Sequence, residues 1–150
     1  MMLNQDYKEM LLILIKNNVD FMVIGAYALA HYGFPRSTGD IDIFINPNIK
    51  NSILVHRSLV EFGAPVSNIP ENYFAHPGNY FQIGVAPCRI DILNEIDGVV
   101  FSETKKSLAK IDGIEFSVIE KNDFIKNKLA AGRPKDISDI CYLKEIRPTR

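Results

Sequence analysis

Apolar residues along the chain fall into short periodic segments that predict helices and strands in mixed succession. Over residues 7–16, Met10, Leu11, Leu12, Leu14 and Ile15 suit one broad helical face, which Asn17-Asn18 ends. Asp20 opens a strand, Phe21-Met22-Val23-Ile24, which Gly25 closes, and residues 26–31 read as a short helix. Gly33, Pro35 and Gly39 mark a loop. Ile41-Asp42-Ile43-Phe44-Ile45 then alternates as a strand does until Pro47, and a helix follows over about 49–62. Residues 63–77 carry three prolines and little periodicity, so they read as a long irregular excursion over the surface. Segments 80–85 and 89–93 flank Ala86-Pro87-Cys88 as a hairpin, and 114–119 makes a later strand. Two helices, 120–131 and 135–146, close the chain around Gly132-Arg133-Pro134, where proline stops one helix and starts the next. There is no internal repeat. The mixture indicates an α/β or α+β sheet domain.

Composition narrows this picture. A chain of 150 residues with 47% hydrophobic content buries one core of ordinary size, so residues 1–150 are expected to form a single domain. Lys+Arg 17 against Asp+Glu 18 gives no overall field towards nucleic acid or anionic membrane, so any RNA contact must be local. Cys88 and Cys141 are too far apart in sequence to form the close pairs of structural zinc sites and are expected to be reduced thiols. The polar, acidic start of the chain is unlike a secretory signal, and no apolar run is long enough to span a bilayer, which points to the cytoplasm.

Candidate chemistry lies in the acidic strands. Successive strand side chains point to opposite faces, so Asp40 and Asp42 project together, roughly 6.5 Å apart along the strand, while Ile41 and Ile43 face the core. Two such carboxylates repel unless a cation sits between them, and oxygen-rich sites suit Mg²⁺ or Mn²⁺. Asp91, between Ile90 and Ile92, repeats the arrangement on another strand. Taken alone, Gly39-Asp40 reads as a turn and Asp42 as a solvated strand residue. The strand ending at Gly25 changes the balance, because it leads into a helix whose first N–H groups can hold phosphate, and glycine lets phosphate oxygens approach the main chain.

The stretch Val23-Ile24-Gly25-Ala26-Tyr27-Ala28-Leu29-Ala30-His31-Tyr32-Gly33-Phe34-Pro35-Arg36-Ser37-Thr38-Gly39-Asp40-Ile41-Asp42-Ile43 closely resembles the polymerase-beta-type nucleotidyltransferase superfamily. Its nearest branch is similar to the AbiEii-like abortive-infection nucleotidyltransferases. That pattern falls here on Gly25, Arg36, Thr38, Asp40, Asp42 and Asp91, and a later lysine and Lys-Asp-x-x-Asp run on Lys128 and Lys135-Asp136-Ile137-Ser138-Asp139. The chain departs from it at Ala26, which lacks the serine hydroxyl of many members and so one phosphate contact.

The resemblance implies a nucleotidyltransferase fold, a mixed sheet flanked by helices with two C-terminal helices. It also implies transfer of a nucleoside monophosphate from a nucleoside triphosphate such as ATP to a hydroxyl of RNA (tRNA included), protein or a small molecule. Two metals about 3.5–4 Å apart bind the attacking and leaving oxygens in such chemistry. By resemblance Asp40 and Asp42 hold the nucleotide's metal, and Asp91 helps to hold the second and favours deprotonation of the acceptor. Gly25, Ala26, Arg36, Thr38 and Lys128 fall on the nucleotide side, where Arg36 and Lys128 are candidates to neutralise triphosphate charge or else solvated surface cations. The alternative is a catalytically weak or partner-dependent nucleotide-binding module, half of a toxin–antitoxin-type pair.

Three further features have plain structural readings. His31 on its apolar helix reads as a core residue rather than a ligand. Tyr73, Phe74, Tyr80 and Phe81 suit core packing as well as stacking on a base. Asp136, in the first turn of its helix, reads as a capping carboxylate.

Overall fold

The computed structural model describes residues 2–145. Elements follow in the order α1 (Gln5–Lys16), β1 (Phe21–Ile24), α2 (Gly25–His31), β2 (Asp40–Ile45), α3 (Ile49–Phe62), β3 (Tyr80–Ile83), β4 (Arg89–Leu93), β5 (Lys106–Ile111), β6 (Ile114–Ile119), α4 (Lys121–Ala131) and α5 (Pro134–Glu145). The strands form one mixed sheet in the order β3-β4-β2-β1-β6-β5. The expected α/β arrangement with two closing helices is what is found. Ile146, the expected last residue of the final helix, lies outside the described residues.

Local chemistry sets the element boundaries. Asn4 and Asn48 cap α1 and α3 by accepting from Tyr7 N–H and Asn51 N–H. Gly63 and Gly132, both left-handed, end α3 and α4. The expected alternation in β2 holds through Ile43 and then fails, because Phe44, on the same face as Asp42, is also buried and packs edge-on to Phe101. One strand was not anticipated. β5 pairs antiparallel with β6 along its whole length, but it is an edge strand whose Lys106, Leu108 and Lys110 are exposed, so burial leaves no clear apolar alternation.

A core of Tyr7, Met10, Leu11, Leu14, Met22, Ile41, Ile43, Phe74 and Phe124 joins the helices to the sheet. Polar anchors fix the parts between. The irregular 63–77 excursion contains a 3₁₀ turn, Tyr73–Ala75, and is tied down by buried Ser52, which donates to Glu71 O and accepts from Phe74 N–H. The Tyr7 hydroxyl reaches the carbonyls of Pro87 and Arg89, so α1 holds the hairpin from which Arg89 projects.

Asn51 is the most heavily used anchor. Its side chain accepts from Asp20 N–H at 2.7 Å and donates to the carbonyls of Asp20 and Asn46, each at 2.9 Å, joining α3 to the ends of β1 and β2. Asn51→Ala leaves the Asp20 N–H without its partner and takes one of two hydrogen bonds from each of the Asp20 and Asn46 carbonyls, and a loss of about 1–3 kcal/mol in urea denaturation is expected. A loss below about 0.5 kcal/mol would mean that water replaces all three bonds.

Candidate active site

Strand register builds the acidic centre. β2 and β4 are parallel neighbours, and their register sets Asp42 beside Asp91 and Asp40 beside Arg89. One carboxylate oxygen from each of Asp40, Asp42 and Asp91 lies within 4.8 Å of the other two. The structure thus brings together the three acids singled out in the sequence. Thr38 Oγ1 donates to Asp40 Oδ1 at 3.0 Å and orients that carboxylate. Gly25 begins α2 with a φ of 70°, and a Cβ there would overlap the Asp42 carboxylate.

The electrostatics call for a cation. Burial, then repulsion from Asp40 and Asp91, pushes the Asp42 carboxyl up to about 7; hydrogen bonding with Asp91 adds to the rise and Lys135 opposes it. Arg89 answers part of the charge. Its guanidinium donates to Asp91 at 2.9 and 3.1 Å and to Asp40 Oδ2 at 2.9 Å, and none of these bonds reaches Asp42. Three hard carboxylates facing one guanidinium suit a divalent ion such as Mg²⁺ or Mn²⁺. The sequence reading missed Arg89, although its place two residues before Asp91 on one strand put both side chains on the same face.

The triad lines a cleft of about 750 Å³ that Gly25, Ala26, Arg36, Thr38 and Lys128 also line. Two of these differ from expectation. Lys128 is no half-exposed cation: it is 5% exposed, and its Nζ pairs with Asp136 at 3.3 Å and Asp139 at 2.8 Å. Arg36 makes a two-pronged pair with Asp139, at 2.7 and 3.1 Å, tying the loop before β2 to α5. Burial alone would raise the Asp139 carboxyl, but hydrogen bonds from Arg36 and Lys128 outweigh it and hold the group below its ordinary range. Asp136 caps as expected, accepting from Arg133 N–H at 3.2 Å, and it also pairs with the Arg133 side chain and Lys128.

None of His31, Tyr73, Phe74, Tyr80 and Phe81 lines the cleft. His31 is half-buried against Tyr32, and burial lowers its pKa. Phe74 is fully buried, and the Tyr73 hydroxyl donates to Tyr80 O. The aromatic that does line the cleft is Phe124, under the Lys128 ammonium. Cys88 and Cys141 are exposed free thiols.

Over residues 3–150 the sequence matches the family described as nucleotidyl transferases of unknown function, DUF2204. The chain belongs to this family. Among solved structures, this nucleotidyl transferase chain is similar to the lincosamide antibiotic adenylyltransferase LnuA with lincomycin bound. That match has 14% identity and a TM-score of 0.59, covering 97% of this chain and 99% of that one. It is also similar to TM1012 of Thermotoga maritima, assigned as a nucleotidyltransferase, with 14% identity, a TM-score of 0.60 and coverage of 94% and 91%. A third is an antigenic nucleotidyltransferase-like protein of Paracoccidioides brasiliensis, with 13% identity, a TM-score of 0.59 and coverage of 92% and 74%. At these identities the likeness shows the nucleotidyltransferase fold. No curated protein matches the sequence. Among the described residues, no helix is long and apolar enough to cross a membrane.

Two outcomes are expected. Lys128→Met leaves Asp136 and Asp139 buried with only Arg36 and Arg133 as partners, and should cost about 2–4 kcal/mol in chemical denaturation. A near-neutral variant would mean that Arg36 and Arg133 alone are enough to hold the two carboxylates.

The second concerns pH. The Asp42 carboxyl titrates higher in the folded state than its ordinary value of 3.8. The folded state therefore binds the extra proton, and stability from this group falls as pH rises from about 4 to about 7. In divalent-free buffer, Asp42→Asn should exceed wild type in stability at pH 8 by on the order of 1–3 kcal/mol and show little advantage at pH 4. Equal stability of the two proteins across that range would show that Asp42 carries no such strain.

Proposed function

We propose that this chain transfers a nucleoside monophosphate from a nucleoside triphosphate to an acceptor hydroxyl, with Mg²⁺ or Mn²⁺ as cofactor and Asp40, Asp42 and Asp91 as its ligands. The observation that carries this reading is the pairing of Asp42 with Asp91, which gathers three carboxylates in a cleft next to the Gly25 turn. Family membership supports it.

In the step itself, the acceptor oxygen attacks the α-phosphorus in line. The bond from that phosphorus to the oxygen bridging the β-phosphate breaks, and pyrophosphate leaves with the electron pair. Divalent ions, when bound, neutralise charge on the attacking and leaving oxygens. Asp40, oriented by Thr38, and Asp42 serve the nucleotide side. Asp91 favours loss of the acceptor proton, which passes to solvent. Gly25 and Ala26 offer backbone N–H groups to phosphate oxygens, and Ala26 adds no hydroxyl contact.

The same reading takes residues 1–150 as one nucleotidyltransferase domain working in the cytoplasm. Acceptor binding without a further domain is supported by LnuA, a chain covered at 99% here whose structure holds lincomycin. Kinship with the AbiEii-like branch draws on Lys128 and the Lys135-Asp136-Ile137-Ser138-Asp139 run, whereas a place in a toxin–antitoxin-type pair belongs to the alternative, binding-module reading.

Incubation with each labelled triphosphate, Mg²⁺ or Mn²⁺, and separate pools of RNA, protein and small molecules should label one pool. Asp91→Asn should still bind nucleotide while single-turnover transfer falls roughly 10²–10⁴-fold. Undiminished transfer, or loss of binding equal to the loss of rate, would remove Asp91 from this role. A wild-type protein that binds triphosphate but labels no pool would favour the binding-module reading.

A further inference from the structure

Five cationic side chains line the cleft, those of Arg36, Arg89, Lys128, Arg133 and Lys135. Four are already held by carboxylates: Arg36 by Asp139, Arg89 by Asp40 and Asp91, Lys128 by Asp136 and Asp139, and Arg133 by Asp136. Among the described residues, Lys135 is the member of this set that makes no ion pair. It is exposed, stands in the first turn of α5, and lines the same cleft as Asp40, Asp42 and Asp91.

A triphosphate needs cations that can come to it. Lys128 is itself 5% exposed and its charge is matched by Asp136 and Asp139, both at most 1% exposed, so drawing it out to phosphate would strand a buried carboxylate. Arg36 and Arg133 keep N–H groups beyond those given to Asp139 and Asp136, but these carboxylates already offset their charge. Arg89 would leave Asp40 and Asp91 to repel each other. Lys135 gives up only water, and its ammonium is a compact point charge on a flexible stem.

We propose that Lys135 is the residue that binds the β- and γ-phosphates of the nucleotide, with Lys128 and Arg36 acting as struts of the cleft wall. This rests on the nucleotidyltransferase reading above. After transfer, the same contact holds the departing pyrophosphate. Lys135 is thereby a binding residue on the leaving-group side, opposite in function to Asp91.

Calorimetry with Mg²⁺ tests this, using a non-hydrolysable nucleoside triphosphate and the matching monophosphate. Lys135→Ala and Lys135→Gln should weaken triphosphate binding roughly 10- to 100-fold. Monophosphate affinity and thermal midpoint should stay close to wild type, and Lys135→Arg should restore most of the loss. Lys144→Ala, which removes a charge from the last turn of the same helix, should change neither affinity. Unchanged triphosphate affinity in Lys135→Ala or Lys135→Gln overturns the assignment while leaving the parent reading standing. Equal weakening of both ligands also overturns it, since a general field rather than a phosphate contact would be responsible. A wild-type protein that binds no triphosphate with either Mg²⁺ or Mn²⁺ brings down the parent reading and this one together.

Discussion

Parallel pairing of β2 with β4 forces Asp42 against Asp91, with Asp40 one pleat away, and the repulsion among these carboxylates is the constraint that the neighbouring residues answer. Ile41, Ile43, Ile90 and Ile92 occupy the opposite face and are almost wholly buried, so no strand can rotate to relieve the acids without exposing the core. Relief must come from charge. Arg89 supplies one positive group to Asp40 and Asp91, Thr38 orients Asp40, and Asp42 is left to keep a proton near neutral pH or to meet a cation. A centre held together by the hydrophobic face and pushed apart by the polar one keeps its three carboxylates together at the cost of their repulsion. Under the proposed function, a divalent ion would meet ligands already gathered on folding.

The second charged cluster has the opposite balance. Three cations, Arg36, Lys128 and Arg133, surround two buried carboxylates, Asp136 and Asp139, which burial would raise and the cations hold low. Such a cluster need not be more stable than an apolar one of the same volume, but its directional bonds fix geometry that apolar contacts would not. Its members come from the loop before β2, from α4, from the turn after it and from α5, so the cleft wall is fixed to the strand that carries Asp40 and Asp42. The floor is short of positive charge and the wall is satisfied. That division separates a part of the cleft free to react from a part built to stay in place.

Much of this was legible in the sequence where burial follows a period. β2 shows its acids on one face and isoleucines on the other, the limits of α3 follow from Asn48 and Gly63, and Asp91 sits between isoleucines as Asp42 does. What could not be read depends on neighbours distant in sequence. Lys128 lies on a helix of weak apolar periodicity, and its burial is decided by Asp139 on the next helix and, through it, by Arg36 far upstream. β5 exposes Leu108 and two lysines, because an edge strand is held by its ladder to β6 more than by a buried face. Arg89 is a different case: the period-2 rule that found Asp40 and Asp42 also covers Arg89 and Asp91, and only the search for acids passed over it.

Gly25 shows how a motif residue can answer to two demands at once. From sequence, glycine after the first strand is explained by phosphate, since a bare backbone lets oxygens come close. The structure adds a requirement that holds before any nucleotide arrives. At Gly25 the chain turns directly from β1 into α2 with φ at 70°, a conformation that side chains disfavour, and the space a Cβ would take is filled by the Asp42 carboxylate. Antiparallel register between β1 and β2 sets Ile24 against Asp42, so the close approach is imposed by the sheet. A residue larger than glycine would have to displace the carboxylate that already carries the greatest repulsion in the centre. The glycine therefore belongs to the acidic centre first, and its openness to phosphate follows from the same missing atom.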